Sequence, residues 1–195
     1  SLADKCDYYN VLYLDAPISG GSVKASEGAL TIMASGSKAA FDRAKPTLDA
    51  ISQTVFELGD EAGAGSAMKS VNQLLAGVHV VAMGEALTFG MSQGIDAAQM
   101  IKVISKCAGT SWMFENRAPH VADGDYAPYS AVNIWLKDLG IVLDTAKGSQ
   151  FSAPLAAVAL QQFVAAAGLG FSTEGDAAVA KVYAQNAGLK LPKSG

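Results

Sequence analysis

The spacing of apolar positions changes character near Gly59. Ahead of it the apolar runs are short and separated by turn residues. Residues 11–14 read as a buried strand, ended by Asp15-Ala16-Pro17 because proline donates nothing to a ladder. Gly20 and Gly21 then let the backbone turn tightly, and residues 30–34 and 55–58 read as two further strands. Between these strands, residues 37–52 place Phe41, Ala44, Leu48 and Ile51 at helical spacing behind Ser37, a side chain suited to capping the first turn. Pro46 predicts a kink or an early break in that helix. After Gly59 the pattern is helical. Residues 62–93 form the longest run, roughly 45 Å at ~1.5 Å per residue. Its apolar residues, among them Met68, Leu75, Val78, Val80, Leu87 and Phe89, keep to no single stripe, which predicts a helix buried on most sides. Gly94 ends it and Asp96 starts another helix that closes before Gly109. Further helices are predicted over residues 112–121, 131–147, 154–167 with proline in the first turn, and 176–186. The reading is a mainly α fold on a long central helix, residues 61–195, preceded by a few strands and one helix in residues 1–60.

Composition narrows the function classes. Half of the 195 residues are hydrophobic and 16% are charged, enough for a real core of one domain plus an appendage. A net charge of -4 and a pI near 5.1 supply no basic field, so a nucleic-acid partner would lack its main source of affinity. The two cysteines, Cys6 and Cys107, make no CxxC pair and no histidines cluster, so neither a disulfide framework nor a metal site is expected. An intracellular, reducing compartment, most simply the cytoplasm, fits that usage. No apolar run approaches the ~20 residues that span a bilayer, and residues 1–9 are too polar for a secretory segment, so a soluble protein without a membrane partner is expected.

Three places carry candidate chemistry. Lys69 follows Gly63-Ala64-Gly65 near the start of the mostly apolar helix, where loss of water lowers an ammonium pKa toward the range of an acid or base. Asn72 and Gln73 come three and four residues later, one turn along. The competing reading is a lysine snorkelling from the edge of a core helix. Ser19-Gly20-Gly21 ends a strand, where backbone N–H groups and a hydroxyl can approach an anionic oxygen, or simply make a turn. Lys137 and Asp138 are adjacent on a helix and so point some 100° apart, which predicts that they are not each other's partners and sit on a solvated face. His79 reads as a core histidine, His120 carries no signal, and Trp112, Phe114, Tyr126, Tyr129 and Trp135 read as core or subunit packing.

Taken in order, DAPISGG, GAGSAMKSVNQ and KDLGIVLD resemble the β-hydroxyacid dehydrogenases, relatives of 3-hydroxyisobutyrate dehydrogenase and tartronate semialdehyde reductase. The resemblance runs from about Tyr13 to Tyr183, and residues 111–144 look closest to the L-threonate dehydrogenase branch. It implies an all-helical domain like the C-terminal domain of 6-phosphogluconate dehydrogenase, serving substrate binding and dimerisation, after the last part of a Rossmann-type domain. The implied function is an oxidoreductase that uses NAD or NADP and moves hydride to or from a small β-hydroxy acid. Its implied residues are Ser19, Gly20 and Gly21 for the substrate carboxylate, Lys69 with Asn72 or Gln73 for catalysis, and Lys137 with Asp138 toward the nicotinamide cofactor. Many members carry asparagine four residues after the lysine, where this chain has Gln73 beside Asn72, so either amide fits. The family's GxGxxG has no match: Gly63-Ala64-Gly65 and Gly168-Leu169-Gly170 follow no suitable strand and miss the third glycine. The resemblance therefore implies the C-terminal portion of such an enzyme, inactive alone, and a homodimer through its apolar helices. The contrasting expectation is a non-catalytic helical dimerisation module within a larger fusion protein.

Overall fold

The computed structural model describes residues 2–193, and the chain divides into two compact units at residues 72/73, inside one helix. The first unit holds α1 (Leu2–Tyr8), β1 (Ile18–Ser19), α2 (Gly21–Ser26), β2 (Leu30–Ala34), α3 (Lys38–Ile51), β3 (Ser52–Glu57) and the opening turns of α4 (Ala64–Ser92). The strands make one sheet in the order β1-β2-β3. β1 runs antiparallel to β2 with Ile18 opposite Ile32, and β3 runs parallel to it with Ile32 opposite Val55. A parallel neighbour needs a crossover, and α3 supplies it. Central in the sheet, β2 buries Leu30, Ile32 and Ala34 against Leu48 of α3, with Phe41, Ala44 and Val55 around them.

Ser37 caps α3 as expected, its hydroxyl accepting from the Ala40 N–H at 3.3 Å. The break expected at Pro46 does not occur, and α3 is unbroken to Ile51. Pro46 and Asp42 are both exposed, so water can take the carbonyl that loses its donor. Paired charges Lys38–Asp42 and Lys45–Asp49 further support the helix. The strand expected at residues 11–14 is absent: these residues are irregular, with Val11 and Leu12 more than half exposed. β2 pairs instead with the residues that follow, through an Asp15–Ser35 bridge, a Met33 N–H to Pro17 carbonyl bond, and β1. Apolar character alone predicted a strand there, but the ladder partner was used four residues later.

The second unit contains the rest of α4, then α5 (Ala97–Ile104), α6 (Trp112–Asp123), α7 (Val132–Gly148), α8 (Pro154–Ala166), a π turn (Ala167–Phe171), a 3-10 turn (Asp176–Val179) and α9 (Ala180–Asn186). The caps follow the sequence. The Asp96 carboxylate accepts from the Gln99 N–H at 2.9 Å, the Ser111 hydroxyl from the Phe114 N–H at 3.0 Å, and Pro154 opens α8. α4 is the axis of the core, contributing Val80, Met83 and Leu87. Trp135 stacks on Phe163 with ring centroids 5.5 Å apart. A Cβ at Gly77 would lie 2.9 Å from the Leu139 Cδ2, so the absence of a side chain there lets α4 and α7 approach closely. Asp176, only 1% exposed, joins three segments: it accepts from the Arg117 Nε at 2.6 Å and the Trp135 Nε1 at 3.0 Å, and its own N–H donates to the Ser130 carbonyl.

Two further expectations are corrected, and the aromatic set divides between core and surface. α4 is not buried on most sides, since Met68, Val71, Leu75 and Phe89 are each 45% exposed or more. Trp112 and Tyr129 lie on the surface, whereas Phe114 and Trp135 are core. Two helical stretches, Ala64–Ser92 and Pro154–Phe171, do reach the length and mean hydropathy that could cross a membrane, by length and composition alone. A core helix passes the same test, and both stretches line the second unit's core, the first through Val80 and Leu87, the second through Ala159 and Phe163.

Candidate active site

Each group of candidate residues is built within its own unit. In the first unit β1 ends at Ser19, and Gly20 and Gly21 follow with φ of 138° and 67°, a left-handed path that glycine takes without strain. Ser19 is half-buried and the two glycines are exposed, leaving backbone N–H groups and a hydroxyl at the rim of the sheet. Lys69 and Asn72, both half-buried, lie on the second and third turns of α4.

The start of that helix is held in an unusual way. Gly63 occupies the capping position, its carbonyl accepting from the Ala67 N–H, yet glycine has no side chain with which to cap. Asp15, 48 residues earlier, supplies the missing oxygen. Its Oδ2 accepts from the Gly63 N–H at 3.0 Å and the Ser66 N–H at 2.8 Å, and its Oδ1 from the Ser66 hydroxyl at 2.6 Å. The buried Ser35 hydroxyl takes the Gly65 N–H at 3.1 Å and turns its own hydrogen toward Asp15 at 3.4 Å. A carboxylate at a helix N-terminus is further favoured by the helix dipole. Asp15, Ser35 and Ser66 were missed from the sequence. The available signal was the glycine at the capping position, which implies that a donor-hungry helix end is served from elsewhere in the chain.

The same arrangement explains why Gly63-Ala64-Gly65 is no pyrophosphate cradle: the α4 N-terminus already holds an anion of the protein itself. Gly168 and Gly170 lie in the π turn after the C-terminal end of α8, where the dipole is unfavourable for phosphate.

In the second unit Gln73, Asp138 and Lys137 form a chain of contacts. The Gln73 Nε2 donates to the Asp138 Oδ2 at 2.6 Å, and the Lys137 ammonium lies 3.1 Å from the Asp138 Oδ1. The expectation that Lys137 and Asp138 ignore each other is thus wrong. Their Cα–Cβ bonds diverge, but the lysine stem is long enough to fold back. Asp138 is 14% exposed and Lys137 70%, so only the lysine matches the expected solvated face. His79 is half-buried in α4. His120, on α6, lies 3.5 Å from Asp125 and beside the Tyr129 ring, away from these residues in sequence and in contacts. Among the described residues no group of three or more metal-ligating side chains occurs.

The first unit thus carries a parallel-paired β2–α3–β3 unit that leads into α4 with Lys69 on its second turn, and the second unit carries the tethered Lys137–Asp138 pair on α7. Residues 63–183 match the family model described as NAD-binding of NADP-dependent 3-hydroxyisobutyrate dehydrogenase, and residues 1–59 match the NAD binding domain of 6-phosphogluconate dehydrogenase. The chain belongs to the 3-hydroxyisobutyrate dehydrogenase family, whose cofactor class is NAD or NADP. It is 50% identical over 179 residues to an L-threonate dehydrogenase of Escherichia coli, covering 92% of this chain and 58% of that protein. It is 36% identical over 180 residues to the 2-(hydroxymethyl)glutarate dehydrogenase of Eubacterium barkeri, covering 92% of this chain and 60% of that protein. A crystal structure of a 3-hydroxyisobutyrate dehydrogenase from Salmonella typhimurium superposes with a TM-score of 0.87 at 51% identity, over 93% of this chain and 64% of that one. The chain therefore spans about three fifths of the length of the curated relatives it matches.

Proposed function

We propose that the protein carrying this chain oxidises or forms a small β-hydroxy acid of the threonate type with NAD or NADP. The observation that carries the reading is Lys69 on the second turn of a helix whose start is fixed by hydrogen bonds to the buried Asp15, in a chain half identical to an L-threonate dehydrogenase. In the oxidative direction the neutral Lys69 amine takes the proton of the substrate hydroxyl while hydride leaves the same carbon, and a carbonyl results. In the reverse direction the ammonium returns that proton and stabilises the developing alkoxide. Ser19, Gly20 and Gly21 receive the substrate carboxylate through hydroxyl and backbone N–H donors. Asn72 or Gln73, one turn along from Lys69, supplies the substrate amide. Gln73 also donates to Asp138, whose carboxylate steadies Lys137. A nicotinamide cofactor supplies or accepts the hydride when bound, and the exposed, tethered ammonium of Lys137 suits one of its oxygen atoms.

Residues 1–60 are read as part of the dinucleotide-binding domain and residues 61–195 as the substrate-binding and dimerisation domain. The exposed apolar side chains of α4 support a homodimer, for which light scattering should give at least twice the 20.0 kDa of this chain when it is measured alone. Two cysteines without a disulfide agree with an intracellular enzyme.

Lys69→Ala in the full chain tests the central assignment. Loss of general acid-base catalysis and of charge at the reacting oxygen should lower kcat at least about a thousandfold, with cofactor affinity retained. Lys69→Arg should rescue poorly, since a guanidinium keeps its proton near neutral pH. A near-normal kcat for Lys69→Ala on L-threonate or the best hydroxy acid would remove the lysine from the mechanism.

A further inference from the structure

Asp15 joins the two candidate elements of the first unit. Its backbone pairs with Ser35 in both directions, the Asp15 N–H to the Ser35 carbonyl at 3.0 Å and the Ser35 N–H to the Asp15 carbonyl at 2.8 Å. Four residues on, Ser19 pairs with Thr31 of the same strand and leads into the Gly20–Gly21 turn. The Asp15 carboxylate meanwhile takes the Gly63 and Ser66 N–H groups, and Lys69 lies one turn beyond Ser66. The helix end is seated on backbone: a Cβ on Gly65 would lie 2.3 Å from the Met33 carbonyl oxygen and 2.9 Å from that of Asp15. Asp15 is 6% exposed and its donors come from two separate stretches of chain, Ser35 after β2 and Gly63 to Ser66 at the start of α4, which narrows the geometry in which all are satisfied.

We propose that Asp15 is a positioning residue for the reaction: its carboxylate sets the register of the first turn of α4 against the residues 15–19 segment, and so places the Lys69 ammonium relative to the Ser19–Gly20 donors. This rests on the function proposed above for Lys69. Asp15→Asn keeps the size and can keep one oxygen on the Gly63 and Ser66 N–H groups, but it removes the negative charge at the helix N-terminus and puts an amide N–H₂ where the Ser66 hydroxyl now donates, so that hydroxyl must turn round. An ångström of misplacement at the lysine is enough to lower the rate by about a hundredfold.

The test compares Asp15→Asn and Ser66→Ala with Leu48→Ala and Lys69→Ala in the full chain, by kcat, KM for the cofactor, and thermal midpoint. Leu48 is buried on α3 against β2 in the same unit and makes no hydrogen bond to Asp15 through its apolar side chain, so Leu48→Ala is expected to lower the midpoint and leave kcat within a few-fold. Asp15→Asn is expected to lower kcat by about 10- to 100-fold at temperatures well below its midpoint, with KM for the cofactor unchanged, and Ser66→Ala by several-fold. Kinetics of Asp15→Asn that match those of Leu48→Ala, while Lys69→Ala is inactive, would overturn this inference alone. Should Asp15→Asn not fold, an unchanged kcat in Ser66→Ala overturns it equally. A near-normal Lys69→Ala overturns both readings.

Discussion

Asp15 and Asp176 are both buried carboxylates that hold distant segments together, but they are stabilised differently. The donors to Asp15 are uncharged: two backbone N–H groups and two hydroxyls gathered at the end of α4. Asp176 faces a guanidinium and an indole, presented by α6 and α7. Backbone donors of a helix terminus are fixed to one another, so a carboxylate satisfied by them specifies where the helix lies. Side-chain donors adjust their rotamers, so a carboxylate satisfied by them fastens helices together without dictating their register. The first arrangement suits an element that must present a reactive group, and the second suits a core.

That contrast can be broken experimentally. The largest effect is expected from Asp176→Ala, which strands a half-buried Arg117 and an indole N–H and should cost about 3–5 kcal/mol in chemical denaturation. Replacing both charges together, as Arg117→Met with Asp176→Asn, should cost less than Asp176→Ala alone. A larger loss would mean that the pair carries more than its desolvation. Asp15→Ala should cost about 2–3 kcal/mol through its lost cap and unpaired donors, with kcat falling further than the stability change would explain. Gly65→Ala should cost about 1–3 kcal/mol, because its methyl would meet backbone oxygen, and more than Gly77→Ala, whose methyl meets a leucine side chain that can move. Equal losses at the two glycines would show that the α4 start is not seated as described.

The smallest effect concerns pH. Burial, and then the nearby Glu174, push the Tyr126 phenol up to about 12 from its ordinary value near 10, and the Lys181 ammonium lies 3.9 Å from its ring centre. With the folded value above the unfolded one, this group's contribution to stability is complete below about pH 10 and is lost as pH rises toward about 12. Tyr126→Phe removes a hydroxyl that is buried with no hydrogen-bond partner among the described residues, so near neutrality it should leave stability unchanged or slightly raised. Comparing denaturation midpoints at about pH 9 and about pH 11 should show a shallower decline in the variant than in the parent. A decline of the same steepness would assign the alkaline loss to other groups.

Local chemistry was legible wherever a helix carries its own signals. Ser37, Asp96 and Pro154 announce their helices because the capping atoms lie within three residues of what they cap. Asp15 was legible only as the residue before Ala16-Pro17, since its partners lie 48 and 51 residues away and no periodicity records them. The strand expected at residues 11–14 failed for a related reason. Apolar content shows that a segment prefers burial, but the choice of ladder partner for β2 depends on the whole sheet. Lys137 and Asp138 failed on side-chain length, which a rule about helix faces leaves out. Lys69, by contrast, acquired its meaning from the motif it shares with a family, and the structure adds what the motif lacks, namely how the turn beneath it is anchored.

The 51-residue separation between Asp15 and Ser66 also bears on the order in which the molecule assembles. Closing a loop of that length costs roughly 3.5 kcal/mol in chain entropy, apart from a constant. The middle of α4 can form from neighbouring residues alone, whereas its first turn gains its cap only after that closure. During synthesis the aspartate is made first, and at about 5–20 residues per second Ser66 follows on the order of 3–10 s later. The turn that carries the lysine is thus among the last parts of the first unit to settle, arriving at an anchor already in place on the sheet.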